Sequence, residues 1–393
     1  MQERPFIMKS QLFEPFTFKN GLTLRNHIIM APMTTWSGND DGTVSDEEIG
    51  YYRRRAQGVG LVLTGCTHVM ANGIGFTGEF ASYDDKFTPS LRRLADAAKS
   101  GGAPAVLQIF HAGNKAEVSL VPAEDVVSAS SVPVAAGPFN AGGVTPRPLS
   151  HDEILDVISA FGAATRRAIE AGFDGIELHG AHGFLIQNFF SPLYNQRDDE
   201  WGGSPENRMR FPIAVVLEVK RVISEFAKRP FLLGYRISPE EPEEGGLRIV
   251  DAYGLIDRLI ETEVDYVHAS LSNVLEAKPL DGRDDRTIAE LIATRVAGRV
   301  PVIAAGQIRT PEQAKRSLDL GLSLVAVGQG LVINPNWVEL SKNGGENQIE
   351  VEVRTSKVPE IEIPGKLWGV IQAATGWFRI KDARMEESQK ETA

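Results

Sequence analysis

The chain is short of the residues on which much protein chemistry leans. It has one cysteine, Cys66, and seven histidines in 393 residues. A lone cysteine excludes an internal disulfide, an iron–sulfur cluster and a cysteine-rich zinc site. No apolar run approaches the ~18 residues of a membrane span, and the opening MQERPFIMKS lacks the apolar core of a signal peptide. No Lys/Arg block stands out against a net charge of −11, which argues against a nucleic-acid surface. The expectation is a cytoplasmic protein acting on a small molecule. Its oligomeric state stays open, a homo-oligomer included.

What is present is the composition of a globular protein: 42% hydrophobic and 24% charged residues, enough for a sizeable core. This length fits two domains or one large α/β barrel with extensions. The order of elements decides between them. LFEPFTFKNGLTLRN reads as a hairpin turning at Asn20-Gly21, a type I′ signal, suited to plugging a barrel end. A regular alternation follows. The segments HIIMAPM, GLVLTG, PAVLQIFHAG, FDGIELHG, PFLLGYRIS, VDYVHASL, VPVIAAG and LSLVAVG read as strands, each leading into an amphipathic helix. The first helix, SDEEIGYYRRRAQG, has Ser45 as its cap, acids in its first turn and Gly58 at its end. Continuous apolar runs mark strands covered on both faces, hence parallel. Unbroken βα order then favours a closed (β/α)8 TIM barrel over an open doubly wound sheet. The barrel is expected over 1–344 and a C-terminal extension over 345–393. That extension is charged, then apolar in IPGKLWGVIQAATGWFRI, and is expected to pack back on the barrel or on a neighbouring subunit. The final EESQKETA reads as disordered.

Active sites of such barrels lie at the C-terminal strand ends. The tips here read APMTT; Thr64, Gly65 and Cys66; Gln108 with His111 beyond; His179 and His182; Arg236; Gly306; Gly328. No lysine stands at a tip for a Schiff base, and no paired carboxylates stand there for glycoside cleavage. His-x-x-His supplies two metal ligands with no evident third, so no metal is expected. A site without its own nucleophile or strong base suits a cofactor that brings the chemistry. Glycines closing the last two strands, in AAGQIRTPEQA and AVGQGLVINP, let backbone N–H groups approach an anion, the recurrent phosphate position of this fold.

From FKNGLTLRNHIIMAPM to VAVGQGLVINPNWV, and most specifically in HGAHGFLIQNFFSPLYNQRDDEWGGSPENRMRF, the chain resembles the Old Yellow Enzyme family of FMN-dependent ene reductases, in its bacterial NADH:flavin oxidoreductase branch. The resemblance implies FMN as cofactor and NADH or NADPH as reductant. It implies that Ala31, Pro32, Met33 and Thr34 lie along the flavin, Thr34 near its N5. Gly65 and Gln108 would meet the pyrimidine end. Arg236 would sit near N1 unless it merely pairs with an acid such as Glu240. Gly306, Gly328 and Gln329 would hold the phosphate. His179 and His182 would clamp an oxygen of the acceptor, an enone, quinone or nitro compound, in a ping-pong cycle. Trp36 would line the substrate side, whereas His111 reads as a loop or wall residue, and Trp337, Trp368 and Trp377 as packing.

Three features depart from the family pattern. The position of the usual proton-donating tyrosine holds Phe184, which makes His268 and Tyr194 candidate substitutes. Gln329 replaces an arginine that reaches the phosphate, with Arg309 a candidate to compensate. The cysteine cluster of the iron–sulfur branches is missing. Two alternatives stay open at this point: a non-redox phosphate-binding lyase or isomerase, and a flavin-binding protein with little turnover.

Overall fold

The computed structural model describes residues 11–381; EESQKETA lies outside them. Eight parallel strands close a barrel in strict chain order. They are β1 (Ile28–Met30), β2 (Leu61–His68), β3 (Ala105–Phe110), β4 (Gly175–Gly180), β5 (Leu232–Ile237), β6 (Tyr266–Ser270), β7 (Val302–Ala305) and β8 (Leu324–Val327). Closure comes from β8 on β1, with Val325 opposite Ile28. The outer layer is α1 (Asp46–Arg55), α2 (Thr88–Ala98), α3 (His151–Ala171), α4 (Pro205–Phe226), α5 (Ile249–Glu261), α6 (Ile288–Val296) and α7 (Pro311–Asp319), with two short helices, Gln329–Ile333 and Trp337–Lys342, after β8.

The helices begin where cap chemistry places them. Ser45 accepts from the Glu48 N–H, with three acids in the first turn of α1 and three arginines in its last. Ser150 with Glu153 and Thr310 with Gln313 form reciprocal capping boxes on α3 and α7. Each such cap is worth about 1 kcal/mol. Helix α3 ends on Gly172 at φ 93°, a left-handed cap that suits glycine. The RDDEWGGSPENR run is architecture: Arg197 pairs with Asp199 and donates to the Ala129 and Leu149 carbonyls, and Ser204 caps α4.

Alternation along the strands sorts the interior into layers. The second and fourth members of β4 to β6, Ile176, Leu178, Leu233, Tyr235, Val267 and Ala269, pack outward among the helices. The inward positions begin with an apolar floor of Val106, Leu232, Tyr266, Ile303 and Leu324. Tyr266 fits because its register partner is Gly234, where a Cβ would come within 2.0 Å of the tyrosine ring. Above the floor the inward residues become polar: Gln108, Glu177 and His268, then His179, Arg236 and Ser270.

The hairpin forms, with a different turn from the one expected. Phe16 pairs with Leu24 and Thr17 with Thr23. The Phe18 N–H donates to the Leu22 carbonyl and the Gly21 N–H to the Phe18 carbonyl, enclosing a three-residue loop. Only Gly21 has positive φ, 90°, so this is a type I turn ending in a G1 bulge rather than type I′. The bulge turns Phe18 into the floor, 6.1 Å from Tyr266. The extension from Gly345 packs on the barrel. Leu367, Ile371 and Phe378 are buried, and the buried Arg55 of α1 donates to the carbonyls of Ile361 (2.7 Å), Glu362 (3.3 Å) and Val332 (3.0 Å). No helix among the described residues is long and apolar enough to cross a membrane.

Candidate active site

Two adjoining cavities open at the C-terminal ends of the strands. The first, about 330 Å³, lies between the tips of β1, β5, β7 and β8 and gathers Ala31, Pro32, Met33, Arg236, Gly306, Gly328 and Gln329. The second, about 350 Å³, is lined by Phe76, Lys115, Phe139 and Phe184. His182 faces both.

Each wall has a structural cause. Strand β2 runs on to His68 rather than stopping at Cys66, because its pairing with β3 slips between Leu63 and Cys66. That bulge carries Gly65 against the Met33 carbonyl, which a Cβ would meet at 2.7 Å. It also brings Cys66 Sγ to 3.6 Å from Thr34 Oγ1. Gly306, at φ 154°, and Gly328 shape the far wall: a Cβ would meet the Leu271 carbonyl at 2.4 Å and Met33 Sδ at 3.0 Å, respectively.

Beneath the first cavity lies a buried polar layer. Glu177 accepts from Gln108 Nε2 at 2.7 Å and from His268 Nδ1 at 2.9 Å. Burial pushes the Glu177 carboxyl up, but His268, Arg236 and Gln108 outweigh it and hold it below the ordinary value. His268 is held below its ordinary value by burial, against the pull of Glu177. The pair is thus a carboxylate accepting from a neutral imidazole. This corrects the expectation for His268: it is wholly buried and its donor nitrogen faces Glu177, so it has no route to a substrate. Tyr194 is also out of place as a donor. It lines neither cavity, and burial pushes its phenol up to about 12.

His179 and His182 come together as expected, with rings 4.8 Å apart. His179 is buried against Phe184, and its Nδ1 accepts from the Ala181 N–H at 3.3 Å, which leaves its proton on Nε2. His182, at φ 59°, puts Nε2 2.6 Å from Ser270 Oγ, which in turn accepts from Arg236 Nη2 at 3.0 Å. Desolvation holds both imidazoles below the ordinary histidine value, more firmly for the buried His179 than for His182, which is exposed to the open cavities. The charges of Arg236 and Lys115 add to it, and for His179 so does His182. At neutral pH both are neutral rings with one N–H each.

Arg236 is free of Glu240, whose carboxylate instead accepts from the Ile249 and Leu280 N–H groups. Its Nε is buried with no partner. An unsatisfied guanidinium nitrogen in a wall where Ala31, Gly306 and Gly328 leave room beside it fits an anionic planar ring. At the other end Arg309 donates to Gln329 Oε1 through Nε (3.1 Å) and Nη2 (2.6 Å), and Gln329 donates on to the Trp377 carbonyl at 2.5 Å. Among the described residues no carboxylate pairs with Arg309, and the cation beside it is Arg379. Two cations near the glycine turns of β7 and β8 fit a phosphate. The residues present therefore fit FMN.

Several contributors escaped the sequence reading. Glu177 sits mid-strand in a run that reads as apolar. Lys115 lies in the HAGNK loop beyond β3. Trp377, expected to be packing, lines the first cavity and stands 5.8 Å from Trp36 and 5.1 Å from Phe139. Trp36 completes the cluster against Phe76 at 5.4 Å. His111 is a buried loop residue that lines neither cavity: its Nδ1 accepts from the Gly113 N–H at 3.1 Å and burial pushes its pKa down to about 3.

Comparison with known proteins agrees with this arrangement. The family model described as NADH:flavin oxidoreductase / NADH oxidase matches residues 11–348. A probable NADH-dependent flavin oxidoreductase of Bacillus subtilis is 45% identical over 372 residues, 94% of this chain and 98% of the relative. An NADH:fumarate oxidoreductase of Klebsiella pneumoniae is 38% identical over 96% of this chain, which spans only 40% of that longer protein. An Old Yellow Enzyme homologue from Zymomonas mobilis shares the fold at TM-score 0.72 and 23% identity, over 85% of this chain and 93% of that one. With an oxidoreductase family established, the lyase or isomerase reading falls. The chain belongs to the NADH:flavin oxidoreductase / NADH oxidase family, the FMN-dependent oxidoreductases of the Old Yellow Enzyme group.

Proposed function

We propose that this enzyme uses NADH to reduce an electron-poor small molecule, an activated alkene, quinone or nitro compound, in a ping-pong cycle through one site. Bound FMN supplies the two-electron step, accepting hydride from one substrate and giving it to the other. NADH rather than NADPH is favoured by the Bacillus relative, named for NADH and matched along its whole length. The chain's own residues provide charge and position. Arg236, with its unpartnered Nε, stabilises an anionic ring, and Gln108 and Gly65 border it from below. The glycine turns at 306 and 328, with Gln329 holding Arg309 beside them, carry the phosphate end.

The observation that carries the reading is the imidazole of His182 at the junction of the two cavities, with the buried imidazole of His179 packed 4.8 Å behind it. As hydride reaches the acceptor, negative charge grows on its oxygen. Each preorganised N–H donor there is worth about 3–4 kcal/mol. Neutral donors suit the task, because they bind the oxygen without adding charge to a site that already holds Arg236 and Lys115. Replacing both His179 and His182 with Ala is expected to leave FMN bound while abolishing the long-wavelength charge-transfer band that phenols give with the oxidised flavin. Enone turnover should fall at least ~100-fold. Persistence of the phenol band in the double variant removes the clamp. Phe184 favours a second reading, a flavin carrier with little turnover. Anaerobic NADH separates the two: bleaching of the 450 nm band supports the enzyme, and an unbleached flavin supports the carrier.

A further inference from the structure

Phe184 leaves alkene reduction without a proton, since hydride delivery to the β-carbon leaves an electron pair on the α-carbon. His268 and Tyr194 do not reach either cavity. We propose that Lys115 donates this proton, an inference that rests on the alkene-reducing reading above. Lys115 stands in the loop after β3 and lines the same 350 Å³ cavity as His182 and Phe184. Its Nζ donates to the His182 carbonyl at 2.6 Å. The ammonium thus lies across the turn that joins the clamp to Phe184. Gly183 makes room for it: a Cβ there would come within 2.8 Å of Nζ. The cavity that Lys115 lines is bounded by Phe76, Phe139 and Phe184, with Pro138 and Asn140 beside them.

The ammonium has no ion-pair partner among the described residues. The acids nearest in effect, Glu243 and Glu241, act at a distance, and Glu241 is taken up by Gln187 and Ser191. Of its three hydrogens one is committed to the His182 carbonyl. The others are left for whatever occupies the cavity. Desolvation also lowers the Lys115 pKa, which makes it a readier acid than a surface lysine. The step balances simply. One Nζ–H bond breaks, the electron pair on the α-carbon forms the new C–H bond, and the neutral amine recovers a proton from water through the open cavity. Hydride comes from NADH by way of the cofactor, as the family's activity supplies.

The test uses the holoenzyme with 2-cyclohexenone, against ferricyanide, which takes electrons without any proton delivered to carbon. In Lys115→Met the ratio of enone to ferricyanide turnover is expected to fall ~100-fold. The double variant Lys115→Met/Phe184→Tyr should recover most of that loss, because it restores an acidic proton on the neighbouring side chain. Reoxidation by the enone in D2O should show a solvent isotope effect in the wild type. A readout independent of turnover is reductive methylation followed by peptide mapping, in which a bound phenol should shield Lys115. An unchanged turnover ratio in Lys115→Met, or methylation indifferent to the phenol, overturns the lysine's role and leaves the clamp standing. A wild type that NADH bleaches but that never reduces the enone overturns the alkene reading, and the lysine's role with it.

Discussion

At the scale of single residues, burial rather than charge count sets the chemistry. Glu48 on α1 has no exposed surface, accepts from Thr35 Oγ1, and has a second oxygen without a partner. Burial pushes its carboxyl from 4.5 up to about 7. The folded state therefore holds a proton that the unfolded chain has already released above about pH 4.5. Stability from this group is fully present at low pH and declines as the pH rises towards 7, by on the order of 3 kcal/mol as an upper bound. In Glu48→Gln that decline should vanish, so the variant's advantage over wild type in thermal denaturation should grow between pH 5 and pH 8. A constant offset between the two curves would show that Glu48 is ionised in the fold. None of this is legible in DEEIGYYRRR, where Glu48 looks like one of three interchangeable acids at a helix start. The same holds for Glu177. A letter E inside a strand shows that something unusual is there, but not that Gln108, His268 and Arg236 converge on it from three other strands.

Among elements, what the sequence discloses depends on how local the cause is. Strand and helix alternation rests on short-range patterning and caps, and Ser45, Ser150, Ser204 and Thr310 all begin helices as their positions suggest. The short helix Leu185–Phe190 has no side-chain cap, and its six residues are buried on every side, so it carries neither signal. The bulge in β2 depends on the register of β3. The type of the hairpin turn depends on where Phe16 pairs, which Asn20-Gly21 alone does not fix. The C-terminal extension is the longest-range case, since its seat on α1 depends on Arg55, some 300 residues away, a residue that reads as the last of a surface Arg triplet. Replacing Arg55 with Met takes the donor from the buried Val332 carbonyl and from the part-buried carbonyls of Ile361 and Glu362. A stability loss of about 3 kcal/mol is expected, with earlier cleavage of the extension in limited proteolysis. An extension that resists protease as in the wild type would mean that its apolar contacts suffice.

Across the whole molecule, stability and chemistry occupy opposite ends of the barrel. Phe18, Leu24 and Tyr266 form the floor, and the imidazoles, Arg236 and the glycine turns form the rim. Phe18→Ala should cost about 3–5 kcal/mol of stability, read as a shift in denaturant midpoint, while FMN content and the phenol band stay as in the wild type. Loss of FMN from folded Phe18→Ala protein would show that floor and rim are mechanically coupled. The stopper at the floor has a further consequence. A vessel corked at its base has a single doorway, and on the proposed mechanism reductant and oxidant must queue at it. Whichever is in surplus keeps the other waiting outside, so the enzyme should run fastest when the two visitors are matched rather than when either is abundant.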